Sequence, residues 1–190
     1  MHKHFKLYKP YGFLSQFITR QRTGGKHKLL GELYGFPEGT MAIGRLDKDS
    51  EGLLLLTTNG KLSTKITAGN SEKEYYVQVD GLVTDAIIKQ LEKGVEISIF
   101  GKAYQTLACK VRILEEKPIF PERAKKIRDD RHGPTSWLSI TLTEGKFRQV
   151  KKMTAAVGLP TLRLVRVRIG NERIENMQAG EVRQLDKIDL

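Results

Sequence analysis

Residues 44–60 read GRLDKDSEGLLLLTTNG and carry the clearest structural signal of the chain. A continuous apolar run over residues 53–56 is followed by two threonines and by Asn59-Gly60. Its length and this exit predict a short buried strand that ends in a turn. The preceding residues, 44–52, hold three carboxylates, two basic side chains and a serine between two glycines. A polar loop that is anchored by a buried strand is well placed to carry catalytic groups.

Metal binding is a competing interpretation of this loop. Asp47, Asp49 and Glu51 have the alternating spacing found in part of a calcium loop, but the required glycine and distal glutamate are absent. Arg45 and Lys48 also place positive charge beside any metal ion. The sequence therefore predicts no metal site. A solvated acidic turn and a loop with a catalytic carboxylate both remain compatible with the pattern.

The patterns on either side of this loop predict an α+β fold with a mixed, largely antiparallel β-sheet and flanking helices. Strands are predicted from alternation or apolar runs, and helices from apolar spacing and capping residues. The predicted strands are 52–58, 75–79, 107–114, 137–143 and 162–169, and the predicted helices are 61–68, 147–157 and a segment between Thr84 and Gly94. A basic, glycine-containing loop is predicted for residues 20–28.

Alternation within two of these strands predicts which side chains are buried. In the strand 75–79, Tyr75, Val77 and Val79 share one face, and Gln78 points to the other. In the strand 107–114, the side chains predicted to face inward are Leu107, Cys109, Val111 and Ile113. Cys109 is therefore interpreted as a small buried apolar residue and not as a reactive thiol.

Composition and charge limit the possible function classes. The chain has 190 residues, and 33 Lys and Arg against 22 Asp and Glu give a formal net charge of +11. The excess lies in residues 1–43 and 111–190, and it favours a polyanionic partner such as a nucleic acid, although lysines that only promote solubility would produce the same excess. The sequence shows no apolar run of the roughly 18–20 residues that a membrane span needs, no signal-peptide core and a single cysteine. We therefore expect a cytoplasmic protein with no membrane partner.

Basic side chains also cluster in the last third of the chain. On the predicted helix 147–157, Arg148, Lys151 and Lys152 share one face, and apolar residues share another. Three arginines follow on the last predicted strand: Arg163, Arg166 and Arg168. Two basic elements in succession predict a cationic surface that contacts phosphates. A helix face that is simply solvated is the alternative.

Five motifs together resemble the RsuA/RluB/RluE/RluF family of ribosomal RNA pseudouridine synthases. They are KPYG (9–12), GRLDKDSEGLLLLTTNG (44–60), KEY (73–75), EGKFRQVKKM (144–153) and LRLVRVRIG (162–170). The resemblance spans nearly the whole chain, and the order of the motifs adds to its specificity. Within this family, residues 134–138 (PTSWL) and 158–166 (GLPTLRLVR) are most similar to the large-subunit pseudouridine synthase E subgroup.

This resemblance implies a domain organisation and a reaction. It implies one pseudouridine synthase catalytic domain over residues 1–190, without an N-terminal S4-type domain. We expect two lobes, about 1–70 and 71–190, with the active-site cleft between them. The implied reaction is the isomerisation of one uridine of large-subunit (23S) ribosomal RNA to pseudouridine, without a cofactor. That RNA is the expected partner, no obligate protein partner is expected, and the protein is expected to be a monomer.

The resemblance also implies roles for individual residues. Asp47 is expected to be the nucleophile, Tyr75 to stack on the uracil and assist proton abstraction, and Lys151 to pair with Asp47. Most relatives have arginine at the position of Lys151, so Arg148 stays open as the partner of Asp47. The expected RNA contacts are Arg45, Lys9, Lys73, Arg148, Lys152, Arg163 and Arg166. The alternatives are a non-catalytic RNA-binding or ribosome assembly factor, the same isomerase with another RNA target, and a carboxylate-dependent glycosidase.

Overall fold

The computed structural model describes residues 2–19 and 27–190. The basic loop predicted for residues 20–28 falls largely on residues 20–26, outside the described residues. In the part of the chain that is described, none of the helices combines the length and the apolar composition needed to cross a bilayer.

Strands and helices are interspersed along the described chain. The strands are β1 (His4–Lys9), β2 (Met41–Ile43), β3 (Glu51–Thr57), β4 (Lys73–Asp80), β5 (Glu96–Ile99), β6 (Lys102–Gln105), β7 (Lys110–Ile113), β8 (Thr135–Leu142), β9 (Thr161–Ile169), β10 (Glu172–Arg173) and β11 (Val182–Leu185). The helices are α1 (Gly60–Ala68), α2 (Asp85–Glu92) and α3 (Gln149–Ala156), with short 3₁₀ turns at Leu30–Glu32 and Asp130–His132. The α+β class with a mostly antiparallel sheet is confirmed.

The chain divides into two compact units. Unit 1 contains Met1–Ser71, Pro121–Lys125 and Arg166–Leu190, and unit 2 contains Glu72–Phe120 and Lys126–Val165. The C-terminal residues belong to unit 1 because β11 pairs with β1, with Val182 opposite Leu7. The predicted lobes, about 1–70 and 71–190, placed these C-terminal residues in the second lobe, whereas the structure assigns them to unit 1.

In unit 1, β3 pairs with both β1 and β2. All four leucines over residues 53–56 are fully buried, as their continuous apolar run predicts for a strand that is covered on both faces. The antiparallel register with β1 runs from the His4–Thr57 pair to the Lys9–Gly52 pair. The end of β1 therefore lies beside the start of β3, so the turn after Lys9 is adjacent to the loop that carries Asp47.

An apolar cluster in unit 1 fixes β1 and β3. Its buried members are Phe5, Leu7, Leu30, Leu54 and Leu56. Phe5 contacts Phe36 edge to face, with 5.5 Å between the ring centroids. Each such buried side chain contributes about 1.5–3 kcal/mol to stability. This cluster holds the two strands that support the Asp47 loop.

In unit 2, β8 pairs antiparallel with β4 on one side and with β7 on the other. Tyr75, Val77 and Val79 share one face of β4, as predicted, and all three are buried. Gln78 is also buried, because the other face of β4 is covered as well. The helix predicted after Thr84 is confirmed as α2: the Thr84 hydroxyl accepts a hydrogen bond from the backbone N–H of Ile87.

The inward face predicted for residues 107–114 is largely wrong. Strand β7 has only four residues, and Val111 is its single buried apolar side chain, whereas Leu107 and Ile113 are exposed. β7 lies at the edge of the strand order, next to β8 alone, so few side chains are available to cover it. Cys109 is half-buried, and its desolvation raises the pKa of the thiol to about 11, which keeps it protonated at neutral pH.

Candidate active site

The loop between β2 and β3 presents its side chains in an alternating manner. Leu46 and Ser50 are buried, Arg45 and Lys48 are exposed, and Asp47 is half-buried between them. The backbone N–H of Ser50 donates to the Asp47 carbonyl at 3.1 Å, which closes a turn directly after Asp47. Asp47 is thus half-buried while its backbone is held in a hydrogen-bonded turn.

Lys9 supports this loop from the inside. Its side chain is fully buried, and its Nζ donates to the carbonyls of Pro10 (3.0 Å), Phe13 (2.8 Å) and Lys48 (3.4 Å). The Lys48 carbonyl also accepts from the backbone N–H of Gly12 at 2.8 Å. A buried ammonium is tolerated when carbonyl oxygens replace its water. The prediction that Lys9 contacts RNA is therefore wrong, because Lys9 joins the KPYG turn to the Asp47 loop.

Ser15 fixes the residue before Asp47. Its Oγ donates to the Leu46 carbonyl at 2.8 Å and accepts from the Leu46 N–H at 2.9 Å. Both bonds are buried, so they are shielded from competition with water. Nothing in the sequence pattern distinguishes Ser15 from an ordinary loop serine, and sequence reasoning missed it.

Arg166 supports the other end of the loop. It lies in the part of β9 that belongs to unit 1, and only 4% of its surface is exposed. Its Nε donates to the Leu53 carbonyl at 2.8 Å and its Nη1 to the Arg45 carbonyl at 3.5 Å. The prediction that Arg166 contacts RNA is wrong as well, because burial among backbone carbonyls removes its guanidinium from the surface. Together, Lys9, Ser15 and Arg166 bind backbone atoms on both sides of Asp47.

Unit 2 carries the predicted aromatic and basic site residues of the KEY motif. Tyr75 lies on β4 opposite Ile140 of β8, and its side chain is 9% exposed. Lys73 begins the same strand, and its Nζ donates to the Thr143 carbonyl at 3.4 Å. The strand therefore fixes the direction of Tyr75, while Lys73 lies at its more exposed end.

The EGKFRQVKKM motif begins its helix later than predicted. Arg148 has a positive φ of 51° and is the N-cap of α3, so it does not share a helical face with Lys151 and Lys152. Gln149 explains this start: its buried side chain accepts from the Lys146 N–H at 2.9 Å and donates to Glu144. These bonds close the segment 144–149 into a tight loop before the helix. Sequence reasoning missed Gln149, although its place in the motif was a usable signal.

The remaining predicted RNA contacts have distinct environments in unit 2. Lys151 and Lys152 are half-buried in α3, and the Lys152 Nζ bonds the Ser98 carbonyl. Arg163, in the first half of β9, lies with its guanidinium 5.4 Å from the centre of the Phe120 ring. Arg163 and Arg166 thus belong to one strand but differ in role, since only Arg163 keeps a partly exposed side chain. Within residues 2–19 and 27–190, no group of three or more His, Cys, Asp and Glu side chains is arranged to hold a metal ion.

Comparison with known proteins agrees with this fold and loop. The family model described as RNA pseudouridylate synthase matches residues 3–156. This chain belongs to that family, and it is therefore an RNA uridine isomerase by class. The resemblance inferred from the five motifs is confirmed.

Individual relatives are similar over most of this chain. The ribosomal large subunit pseudouridine synthase E of Vibrio vulnificus is 41% identical over 179 residues, which is 93% of this chain and 72% of the relative. The protein of the same name from Xanthomonas axonopodis pv. citri is 43% identical over 171 residues, covering 89% and 86%. A crystal structure of a pseudouridylate synthase matches with a TM-score of 0.76 and 28% identity, over 97% of this chain and 70% of that chain.

Proposed function

We propose that this protein isomerises one uridine of large-subunit (23S) ribosomal RNA to pseudouridine, with Asp47 as the nucleophile and without a cofactor. The names of the similar synthases support this substrate. A ribosomal RNA substrate also supports a cytoplasmic enzyme. The residues proposed to act in the reaction are Asp47, Tyr75 and Lys151.

The reaction balances without an outside reagent. The bond between N1 of uracil and C1′ of the ribose breaks, and a bond between C5 and C1′ forms. C5 loses its proton and N1 gains one, so mass and oxidation state are unchanged. Attack of the carboxylate on C1′, its attack on C6 and formation of a glycal are three routes to this product. Each of them needs one ionised carboxylate held at the nucleotide.

The other residues receive roles that follow from this chemistry. Tyr75 stacks on the uracil as it turns and assists removal of the C5 proton, because a stacked aromatic ring tolerates rotation of its partner. Lys151 pairs with the Asp47 carboxylate and orients it, and Arg148 is the alternative partner. Arg45 fills the space that the extruded uridine leaves in the RNA. The residues proposed to contact phosphates are Lys73, Arg148, Lys152 and Arg163.

Lys9 and Arg166 become positioning residues in this proposal. Reacting groups must be held within about 0.5 Å of the productive geometry by a rigid surrounding structure. The hydrogen bonds to Arg45, Leu46, Lys48 and Leu53 hold the backbone of the Asp47 loop in this way. That support, around the half-buried Asp47, is the observation that carries the proposed function, because an acidic turn that serves only solubility does not need it.

The matched pair Asp47→Asn and Asp49→Asn tests the nucleophile. Asp47→Asn removes the charge that the reaction uses, and we expect pseudouridine formation to fall more than about 10³-fold. Asp49→Asn makes the same chemical change two residues away and should retain activity. Release of tritium from C5-labelled uridine in a 23S transcript measures the rate. Filter binding should show that Asp47→Asn still binds the transcript.

Each alternative function gives a different result in this experiment. Full activity of Asp47→Asn would show that Asp47 is not the nucleophile. Binding without any pseudouridine formation by the wild-type protein would indicate an RNA-binding or assembly factor. Free uracil among the products would indicate a glycosidase. Chemical mapping of pseudouridine in ribosomal RNA from cells with and without the protein identifies the target uridine.

A further inference from the structure

Two exposed phenylalanine side chains lie against each other in unit 2. Phe100 is 81% exposed and Phe147 is 50% exposed. Their ring centroids are 5.2 Å apart and the planes differ by 22°, which is a stacked arrangement. Phe147 covers one face of Phe100, so the other face is open to water. A paired aromatic surface of this kind, outside the apolar core, is typical of an interaction site.

Phe100 is held outward by a strained turn. Ile99 pairs with Lys102 across the β5–β6 hairpin, so the turn consists of Phe100 and Gly101 alone. Their φ angles are 48° and 80°, a conformation in which the first position favours asparagine, aspartate or glycine. A bulky residue at positive φ is a genuine outlier. Such strain indicates that the Phe100 side chain has a function, because the turn itself would be more stable with another residue.

Lysine side chains surround this aromatic pair. The Lys152 Nζ lies 5.1 Å from the centre of the Phe147 ring and donates to the Ser98 carbonyl in the hairpin. The Lys146 Nζ lies 4.9 Å from the centre of the Tyr104 ring. Lys102, next to the turn, is exposed. The Lys152 ammonium is thus held at the Phe147 ring by a cation–π contact, while Lys146 and Lys102 directly adjoin Phe147 and Gly101 in the chain.

The nearby carboxylate of Glu144 is already engaged. It accepts from the Tyr104 hydroxyl at 2.6 Å and from the Leu107 N–H at 2.8 Å. The bond to Glu144 raises the pKa of Tyr104, so the phenol stays protonated. Glu96, at the far end of β5 from the turn, is the exposed acidic residue of this hairpin. The surface beside the two rings is therefore positive.

We propose that Phe100, Phe147 and the three lysines Lys102, Lys146 and Lys152 form a stacking platform for an unpaired RNA base that is not the reacting uridine. The base stacks on the open face of Phe100, and the lysines contact the neighbouring phosphates. Aromatic rings between lysines suit single-stranded RNA, because every base has a π-face and every nucleotide carries a negative phosphate. RNA as the occupant rests on the proposed function. The charge disfavours a basic protein surface or a second copy of this basic chain.

Binding of a short RNA tests the platform apart from catalysis. The probe is a 12-nucleotide unstructured RNA that contains 2-aminopurine, whose fluorescence falls when it stacks. With the full chain we expect quenching, and Phe100→Ala should raise Kd by about tenfold and remove the quenching. Phe100→Trp should preserve both. Leu82→Ala removes another exposed apolar side chain of unit 2 and is the matched control, with Kd unchanged. Wild-type affinity and quenching in both Phe100→Ala and Phe147→Ala would overturn the platform.

A second variant separates RNA binding from folding. Phe100→Asn places a favoured residue at the first position of the turn, so we expect a higher Tm together with weaker RNA binding. A lower Tm with unchanged binding would assign Phe100 to the fold and contradict the proposal. Sedimentation of the wild-type protein and Phe100→Ala tests the competing occupant: a dimer that this substitution dissociates would make the surface a protein interface.

Kinetics with a 23S transcript distinguish failure of the platform from failure of the proposed function. Phe100→Ala should raise KM about tenfold and leave kcat at saturating RNA unchanged. If the wild-type protein forms no pseudouridine but Phe100 controls binding of the oligonucleotide, the proposed function fails and the platform stands. If pseudouridine forms and neither KM nor oligonucleotide binding depends on Phe100, the platform alone fails.

Discussion

At the scale of single residues, buried polar groups hold the backbone of the Asp47 loop. Lys9 and Arg166 are cations that the sequence assigns to an RNA surface, and both are buried against backbone carbonyls. Their positive charge is used inside unit 1 to hold the Asp47 loop. In this loop Arg45 and Lys48 are exposed, and Asp47 and Asp49 are half-buried.

Lys9 and Lys6 form a matched pair for testing this support. Both are buried lysines of β1, but Lys6 donates to the Arg173 carbonyl and lies 3.7 Å from Glu172, away from the loop. We expect Lys9→Met and Lys6→Met each to cost about 2–3 kcal/mol of stability, because each leaves buried partners unsatisfied. Only Lys9→Met should also lower kcat, once rates are corrected for the folded fraction. Equal kcat values for the two variants would contradict a positioning role for Lys9.

At the scale of elements, β9 joins the two ends of the Asp47 loop through one side chain. The planar guanidinium of Arg166 reaches the carbonyls of Leu53 and Arg45 at once. Leu53 lies in β3, after the loop, and Arg45 lies near the beginning of the loop. A lysine ammonium is a point charge on a flexible stem and cannot reproduce this fork.

We expect Arg166→Lys to lower kcat by about 10- to 100-fold with little change in KM, since a displacement of about 1 Å can cost 10²-fold in rate. Steady-state kinetics with the 23S transcript measure the two constants separately. A contact to RNA phosphate would behave differently: KM would rise, and the salt dependence of binding would become less steep. A higher KM together with a less steep salt dependence would show that Arg166 contacts RNA and would contradict its role in holding the loop.

At the scale of the whole molecule, only part of the net charge of +11 is available to bind RNA phosphates. Lys9 and Arg166 do not contribute to phosphate binding, so fewer cations remain for it than the motifs imply. The proposed phosphate contacts are Lys73, Lys102, Lys146, Lys152 and Arg163, and Arg148 is a sixth if it does not pair with Asp47. Electrostatic binding through several such contacts releases counterions and is therefore sensitive to salt.

For about five phosphate contacts to single-stranded RNA, affinity should fall about 10²-fold between 50 and 200 mM salt. Fluorescence anisotropy of a labelled 23S fragment over this range measures the slope. Removing one proposed contact, as in Lys152→Met, should make the slope less steep, whereas Lys6→Met is the control with an unchanged slope. A flat dependence on salt would contradict RNA binding through these side chains.

The sequence alone was sufficient for the features that depend on local pattern. The apolar run of β3, the capped helix α2 and the order of the five motifs predicted the fold class, the Asp47 loop and the family, because each is set by residues close together in the chain. Local pattern was also enough to place Tyr75 on the same face of β4 as Val77 and Val79, all of which are buried.

Only the tertiary structure decided which polar residues are buried and which apolar ones are exposed. Besides two carbonyls of the adjacent turn, Lys9 binds a carbonyl 39 residues away in sequence, and Arg166 binds one 113 residues away, and no local pattern reports such distant partners. Ile113 stays exposed on β7 at the sheet edge, and Leu107 is exposed in the segment before that strand. Arg148 precedes the helix because Gln149 closes the loop before it. Alternation predicts that a side chain points to one face of a strand, but whether that face meets protein or water depends on long-range packing.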